Sequence, residues 1–269
     1  MQFSPKEPRG GRRNWFFLGY LLLLLFAAVS CRKEEPSTVV QPPGQRSVNE
    51  MIQEAERLFA GREDLSKVRQ AIFELKQARA IEPSSYDVAW RLAKFDYCLG
   101  VHSQDTSEQD KAFREGIEAG RLAVKLQDNK PDGHFWLGAN YGGRAEISVL
   151  AGIVSIEDIK TEMQRVLQID EGYQSGSAYM VLGQVYLATP RFMGGNAQEA
   201  VDYLEKGLRF AADNTPLHVR LAEAYLAVNR KDDARKQLAV ALSIKPNPDY
   251  IPEHKHAVEQ AHQLEEKLK

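Results

Sequence analysis

Cys31 and Cys98 are the only thiols in the 269-residue chain, so they offer at most one disulfide and no cysteine framework. His254, His256 and His262 make the only histidine cluster. Residues two apart on a helix do not face each other, and no zinc-type spacing surrounds these three, so they read as solvated helix surface with no metal site. The glycine pairs Gly142-Gly143 and Gly194-Gly195 lack the strand-to-helix setting and the lysine that a phosphate loop needs. No Ser–His–Asp or Cys–His set stands out. The chain is therefore expected to be no enzyme and to hold no cofactor. With 35 basic and 37 acidic residues the formal charge is −2, which gives no electrostatic footprint for nucleic acid. A 43% hydrophobic fraction with 12 prolines and 19 glycines is that of a folded body.

Position gives Cys31 its chemistry. Ahead of it stand Lys6, Arg9, Arg12 and Arg13 against the single acid Glu7, then an uncharged apolar stretch from Trp15 to Ser30, which is shorter than a membrane span needs. Residues 1–30 thus read as a secretory signal peptide. Ala28-Val29-Ser30-Cys31 resembles a bacterial lipobox, which implies that Cys31 is the lipidation site and the first residue of a mature chain anchored to a membrane. Arg32 in the following position favours the outer membrane, with the body facing the periplasm or the exterior. Residues 31–46, with Pro36, Pro42, Pro43 and Gly44, read as a disordered tether. Removing residues 1–30 leaves 31 basic and 36 acidic residues, a net charge of −5. With Cys31 lipidated, Cys98 is best read as a small buried hydrophobe.

The folded domain, residues 47–269, opens on Ser47 and Glu50, which have the spacing of a helix capping box. From there apolar and small residues recur every three or four positions between proline- or glycine-bearing breaks, which predicts an all-α fold. The clearest repeating unit runs from Thr215 to Pro246: Leu221, Ala222 and Tyr225, then Asn229 at a turn, then Ala234, Leu238 and Ala241. This pattern resembles the tetratricopeptide repeat (TPR), a helix–turn–helix unit in which small residues let the two helices approach and proline ends the second. Related sets recur upstream. Leu182, Gly183 and Tyr186 precede Ala200, Leu204 and Gly207 with five extra residues in the turn. Leu137, Gly138 and Tyr141 precede Ile159, Met163 and Val166 with nine. Leu92 and Ala93 precede Gly116, Gly120 and Ala123 across a polar insertion near Val101–Asp110. Ala71, Leu75, Ala78 and Pro83 mark the most degraded unit. The expectation is a TPR-like α-solenoid of about five repeats with turn insertions, and a C-terminal capping helix over Pro252–Lys269.

In solenoids of this kind the first helix of each unit lines the binding face. The resemblance then places Trp90, Lys94, Tyr97, Phe135, Ala139, Met180, Gln184, Leu187, Val219 and Glu223 on that face. Either the insertions fold over these residues and make them core, or they form an aromatic-lined groove or cavity for a peptide or an apolar small molecule. His134 to Gly142 and Pro190 to Gly195 are similar to segments of insertion-bearing repeat lipoproteins, among them the T component of tripartite (TRAP) transporters. That resemblance implies an exported, lipid-anchored helical repeat protein with an internal cavity or pore that partners a periplasmic substrate-binding protein. The leading expectation is an envelope scaffold binding a protein or peptide partner as a TRAP-transporter accessory. The alternatives are a carrier of a hydrophobic small molecule and an outer-membrane assembly factor. Self-association is left open.

Overall fold

The computed structural model describes residues 46–247 and 251–268. The segments read from sequence as a signal peptide and a tether, with Cys31 between them, fall up to residue 45 outside the described residues. Eleven α-helices follow one another, with no strand among the described residues: α1 Val48–Phe59, α2 Leu65–Ile81, α3 Tyr86–His102, α4 Thr106–Leu126, α5 Pro131–Ile147, α6 Val149–Ile169, α7 Ser177–Ala188, α8 Ala197–Gly207, α9 Thr215–Ala227, α10 Lys231–Ser243 and α11 Ile251–Lys267. Consecutive helices pack as five antiparallel pairs, with α3 against α5 and α7 against α9 so that first helices adjoin one another. The chain is a TPR solenoid closed by α11, which buries Ala257 and Ala261 against the last pair.

Local chemistry sets the boundaries. Ser47 and Glu50 form the reciprocal capping box that starts α1. Asp64, Asp105, Ser148 and Asn196 each accept from a backbone N–H in the first turn of the helix that follows. Pro131 starts α5, where its missing N–H is no loss. At the last turn Asn229 takes φ 60°, and Arg230 N–H donates to the Tyr225 carbonyl at 2.8 Å, which ends α9 and aims the chain into α10.

Packing between paired helices rests on a small residue opposite a large one. A Cβ on Gly183 would come 2.5 Å from Leu204 Cγ, so only glycine lets α7 and α8 close to this distance. Leu75, Leu92, Met163, Leu182, Leu204, Leu221 and Leu238 are fully buried along the seam. Each such side chain contributes on the order of 1.5–3 kcal/mol by leaving water.

Two of the expected turn insertions are not loops. The polar segment Val101–Asp110 is absorbed by helix: α3 runs to His102, α4 begins at Thr106, and only three residues separate them. The nine extra residues of the third unit likewise lengthen α5 and α6, which are parted by Ser148 alone. Helix wins because neither segment contains proline, and Asp105 and Ser148 supply caps at the new starts. Only the five extra residues of the fourth unit remain a loop, with a 3₁₀ turn at Arg191–Met193.

Candidate functional site

The lengthened helices enclose space. A cavity of about 740 Å³ lies among the ends of α5 and α6, the face of α7 and the loop that follows it. Its walls are largely apolar: Trp136 and Ala139 from α5, Ile153 and Ile156 from α6, Met180 from α7, and Met193 from the loop. Gln184, Glu146 and Asn214 are among the polar residues that line it, with Gln174, Ser175, Ser177 and Thr189. A volume of this size with such walls suits an apolar ligand or apolar side chains of a partner.

Aromatic rings brace the inner end. Phe135 and Trp136 meet edge to face with centroids 5.0 Å apart, Tyr97 tilts on Trp136 at 5.8 Å, and Tyr173 meets Phe135 at 5.4 Å. Tyr173 is held by its hydroxyl donating to Asp132 at 2.8 Å, and Tyr86 donates to the other oxygen of the same carboxylate at 3.2 Å. Burial, with Glu146 nearby, pushes the Tyr97 hydroxyl up to about 12, so it faces the cavity as a neutral phenol.

The loop that closes the far side depends on one glycine. Gly195 is buried, and a Cβ there would fall 1.7 Å from the Thr189 carbonyl oxygen. Its N–H and that of Met193 both donate to the Pro190 carbonyl, and Asn196 N–H reaches back to the Tyr186 carbonyl at 2.9 Å. Beside the cavity wall the surface is apolar. Leu150, Ile153 and Val154 are 73%, 52% and 69% exposed at helical spacing on α6, and Phe192 in the loop is 89% exposed. A cluster of this kind on a water-facing surface marks an interaction site more often than chance exposure does.

Of the residues assigned to the binding face by sequence, Tyr97, Phe135, Ala139, Met180 and Gln184 meet at this cavity. The others do not line it. Val219 is fully buried in the last repeats, and Leu187 packs against the same core from α7. Glu223 pairs with Arg220 at 2.8 Å. Trp90 and Lys94 face a separate aromatic cluster with Phe59, Phe95 and Trp136. Sequence reasoning does not place Trp136, Ile153, Ile156 or Met193 on the binding face, although Trp136 and Met193 lie in the two segments that carry the family resemblance. The available signal is the uncharged run 149–156, which a helical reading of the insertion would place on the wall.

Among the described residues no group of three or more His, Cys, Asp or Glu side chains is arranged to hold a metal, and no helix is long and apolar enough to cross a membrane. The three clustered histidines turn to different partners: His254 to Thr215, His256 to Gln260 and His262 to Glu265.

Residues 94–269 match the family described as TRAP transporter T-component. No curated protein matches the sequence. Among solved structures, a thermophilic TPR protein of Thermus thermophilus is similar at TM-score 0.57 and 19% identity, covering 79% of this chain and 100% of its own. PilF of Pseudomonas aeruginosa is similar at 0.54 and 18%, covering 82% and 93%. The MamA protein is similar at 0.51 and 18%, covering 77% and 96%. At these identities the likeness is one of fold.

Proposed function

The chain belongs to the TRAP transporter T-component family, and from that premise we propose that it is a lipid-anchored scaffold of the bacterial envelope that binds the substrate-binding protein of such a transporter. The observation that carries this reading is the family match over a region that contains the whole cavity wall. The partner engages the first-helix face at the cavity, through Tyr97, Phe135, Met180 and Gln184, with Trp90 and Lys94 beside it. Anchoring at Cys31 keeps the scaffold at the membrane, and the tether lets it reach its partner: about 15 residues extend to at most roughly 50 Å. The role is that of a holder, without catalysis of its own.

Co-purification with a TRAP substrate-binding protein tests the partner. The wild-type chain should retain it, and Phe135→Ala with Met180→Ala should release it. Retention by the double variant, or no complex with the wild type, contradicts the reading. Cys31→Ser should move the chain from the membrane to the soluble fraction, and unchanged membrane association would contradict the anchor.

A second reading is favoured by the walls of the cavity. At about 740 Å³ with an apolar lining it is large enough for a hydrophobic solute, which the scaffold would pass to its partner. Native mass spectrometry of the purified chain should then find a retained apolar molecule, lost when Ala139→Trp fills the space. A chain that is always empty would leave the scaffold role alone.

A further inference from the structure

Beside the cavity, three consecutive first helices converge on one lysine. Lys94 Nζ, on α3, lies 5.1 Å from the centroid of Phe59 on α1, and 6.0 Å from those of Trp90 and Phe95 on its own helix and Trp136 on α5. Phe59 and Phe95 are stacked at 3.9 Å, which fixes the floor. Two more cations border the ring cluster: Arg91, 4.2 Å over Trp90, and Arg62, 5.9 Å over Phe59. The nearby carboxylates are already engaged. Glu56 accepts from Arg91 at 2.8 Å, and Asp87 accepts from Arg91 and from the Trp90 indole.

Lys94 itself is half-buried and, among the described residues, makes no hydrogen bond or ion pair. Its ammonium faces the rings, with the Glu56 carboxylate, already bonded to Arg91, attracting it without direct contact. Burial holds its pKa below the ordinary lysine value, and the cations Arg62 and Arg91 act in the same direction against the attraction of Glu56. A partly desolvated charge without a counter-ion is unfavourable for a fold, and an exposed rotamer would be the cheap escape for so flexible a side chain. Four ring centroids within 6.0 Å hold it in place instead.

We propose that Lys94 and its aromatic walls form a second ligand site, which takes a carboxylate carried on an apolar or aromatic body. The carboxylate supplies the missing partner to the ammonium, with Arg91 close enough to share the charge. The apolar body lies on Trp90 and Trp136, whose indole rings flank the lysine. Arrangement across α1, α3 and α5 puts the site on the first-helix side of the opening repeats, separate from the cavity that α6 and α7 enclose. Trp136 is common to both, so one site is within reach of the other. The same chemistry is offered by a free organic acid and by the C-terminus of a peptide.

Calorimetry on the full chain separates these cases. The probes are 3-phenylpropionate against 3-phenylpropanamide, and an acetylated Gly-Leu-Phe peptide with a free C-terminus against its amide. At least one acid should bind ten-fold or more tightly than its matched amide. Acid preference in the first pair alone identifies a small-molecule site, and preference in the peptide pair extends it to chain termini. Lys94→Met, which keeps the apolar stem, should reduce the acid to the affinity of the amide, while Lys94→Arg should keep a preference for the acid. Equal binding of acid and amide in both pairs, or no binding at millimolar concentration, overturns the site. A preference that survives Lys94→Met overturns it as well. If Lys94→Met fails to fold, the acid-against-amide comparison on the wild-type chain still decides. Neither outcome depends on the substrate-binding protein, so failure here leaves the co-purification result untouched.

Discussion

The third repeat, α5 and α6, and the fifth, α9 and α10, meet the same packing requirement with different lengths of helix. At the seam they are nearly superposable in chemistry. His134 near the start of α5 bonds Glu162 at 2.6 Å and the Asp128 carbonyl at 2.9 Å, and His218 near the start of α9 bonds Gln237 at 2.7 Å and the Ala212 carbonyl at 2.9 Å. Tyr141 accepts from Arg121 and Tyr225 donates to Glu205, in each case a residue twenty positions earlier on the preceding second helix. Beyond the seam they part. The fifth repeat has helices of 13 and 13 residues joined at Asn229, whereas the third has 17 and 21, and the additional turns supply Glu146, Gly152, Ile153 and Ile156 to the cavity. The shared packing and the cavity thus fall to different parts of one repeat, the seam and the added length.

The largest expected effect tests the shared part. Met163 and Leu238 are both fully buried on second helices, and truncating either to alanine should cost about 2–5 kcal/mol in urea unfolding. A loss below about 1 kcal/mol at one of them would break the equivalence of the two seams. Next comes a feature that only the longer repeats contain. Asp96 on α3 is the one carboxylate buried among the described residues, one of its oxygens has no hydrogen-bond partner, and burial pushes its pKa up to about 8. Lys76, opposing that rise, is itself paired with Glu115. Because the folded value lies above the unfolded value near 4, the fold keeps a proton that the unfolded chain releases, and stability falls as pH rises from about 4 to about 8. Asp96→Asn should therefore raise stability at pH 8 by roughly 2–4 kcal/mol and flatten that slope. An unchanged pH profile would contradict it.

Smaller effects sharpen the contrast. Gly195→Ala forces the loop behind the cavity to move and should cost about 1–3 kcal/mol. Hydrogen exchange should show the loosening in residues 188–196 and leave α9 and α10 protected; uniform loosening would mean that the wall and the seam are not separable. The smallest concerns His134. Burial draws its pKa down, but bonds to Glu162 and the Asp128 carbonyl outweigh this and leave it raised. The stabilisation from the protonated ring is complete below the unfolded value near 6.5 and is lost as pH rises through the folded value. Glu162→Gln, which copies the His218 site, should remove that component from the pH dependence of stability.

The repeat grammar was legible because each signature residue answers a packing demand that is local in sequence. Leu221, Ala222 and Tyr225, with Ala234, Leu238 and Ala241, leave few other folds open. The binding face was legible only in part. Helical register places Tyr97, Phe135, Met180 and Gln184 on first helices facing inward, and these meet at the cavity. Insertions hid the rest. Val101–Asp110 and the nine residues of the third unit read as turns because the reference repeat is short there, yet they contain no proline, and Asp105 and Ser148 restart helix within a few residues. Ile153 and Ile156 thus gained a wall position that no repeat register assigns. The ring cluster around Lys94 was equally out of reach, since it needs Phe59 and Trp136 brought in from helices 35 and 42 residues away.

The central claim is that the added length of the third repeat, not the seam, makes the binding site. The most direct measurement is the affinity of the purified chain for a TRAP substrate-binding protein with Ile153→Asp and Phe192→Asp on one hand and Val240→Asp, an exposed apolar position on α10, on the other. Ile153→Asp, at the cavity wall, and Phe192→Asp, in the exposed loop of the fourth unit, should each weaken the complex ten-fold or more at unchanged thermal stability, with Val240→Asp close to wild type. A complex insensitive to Ile153→Asp, or weakened equally by Val240→Asp, would contradict the account.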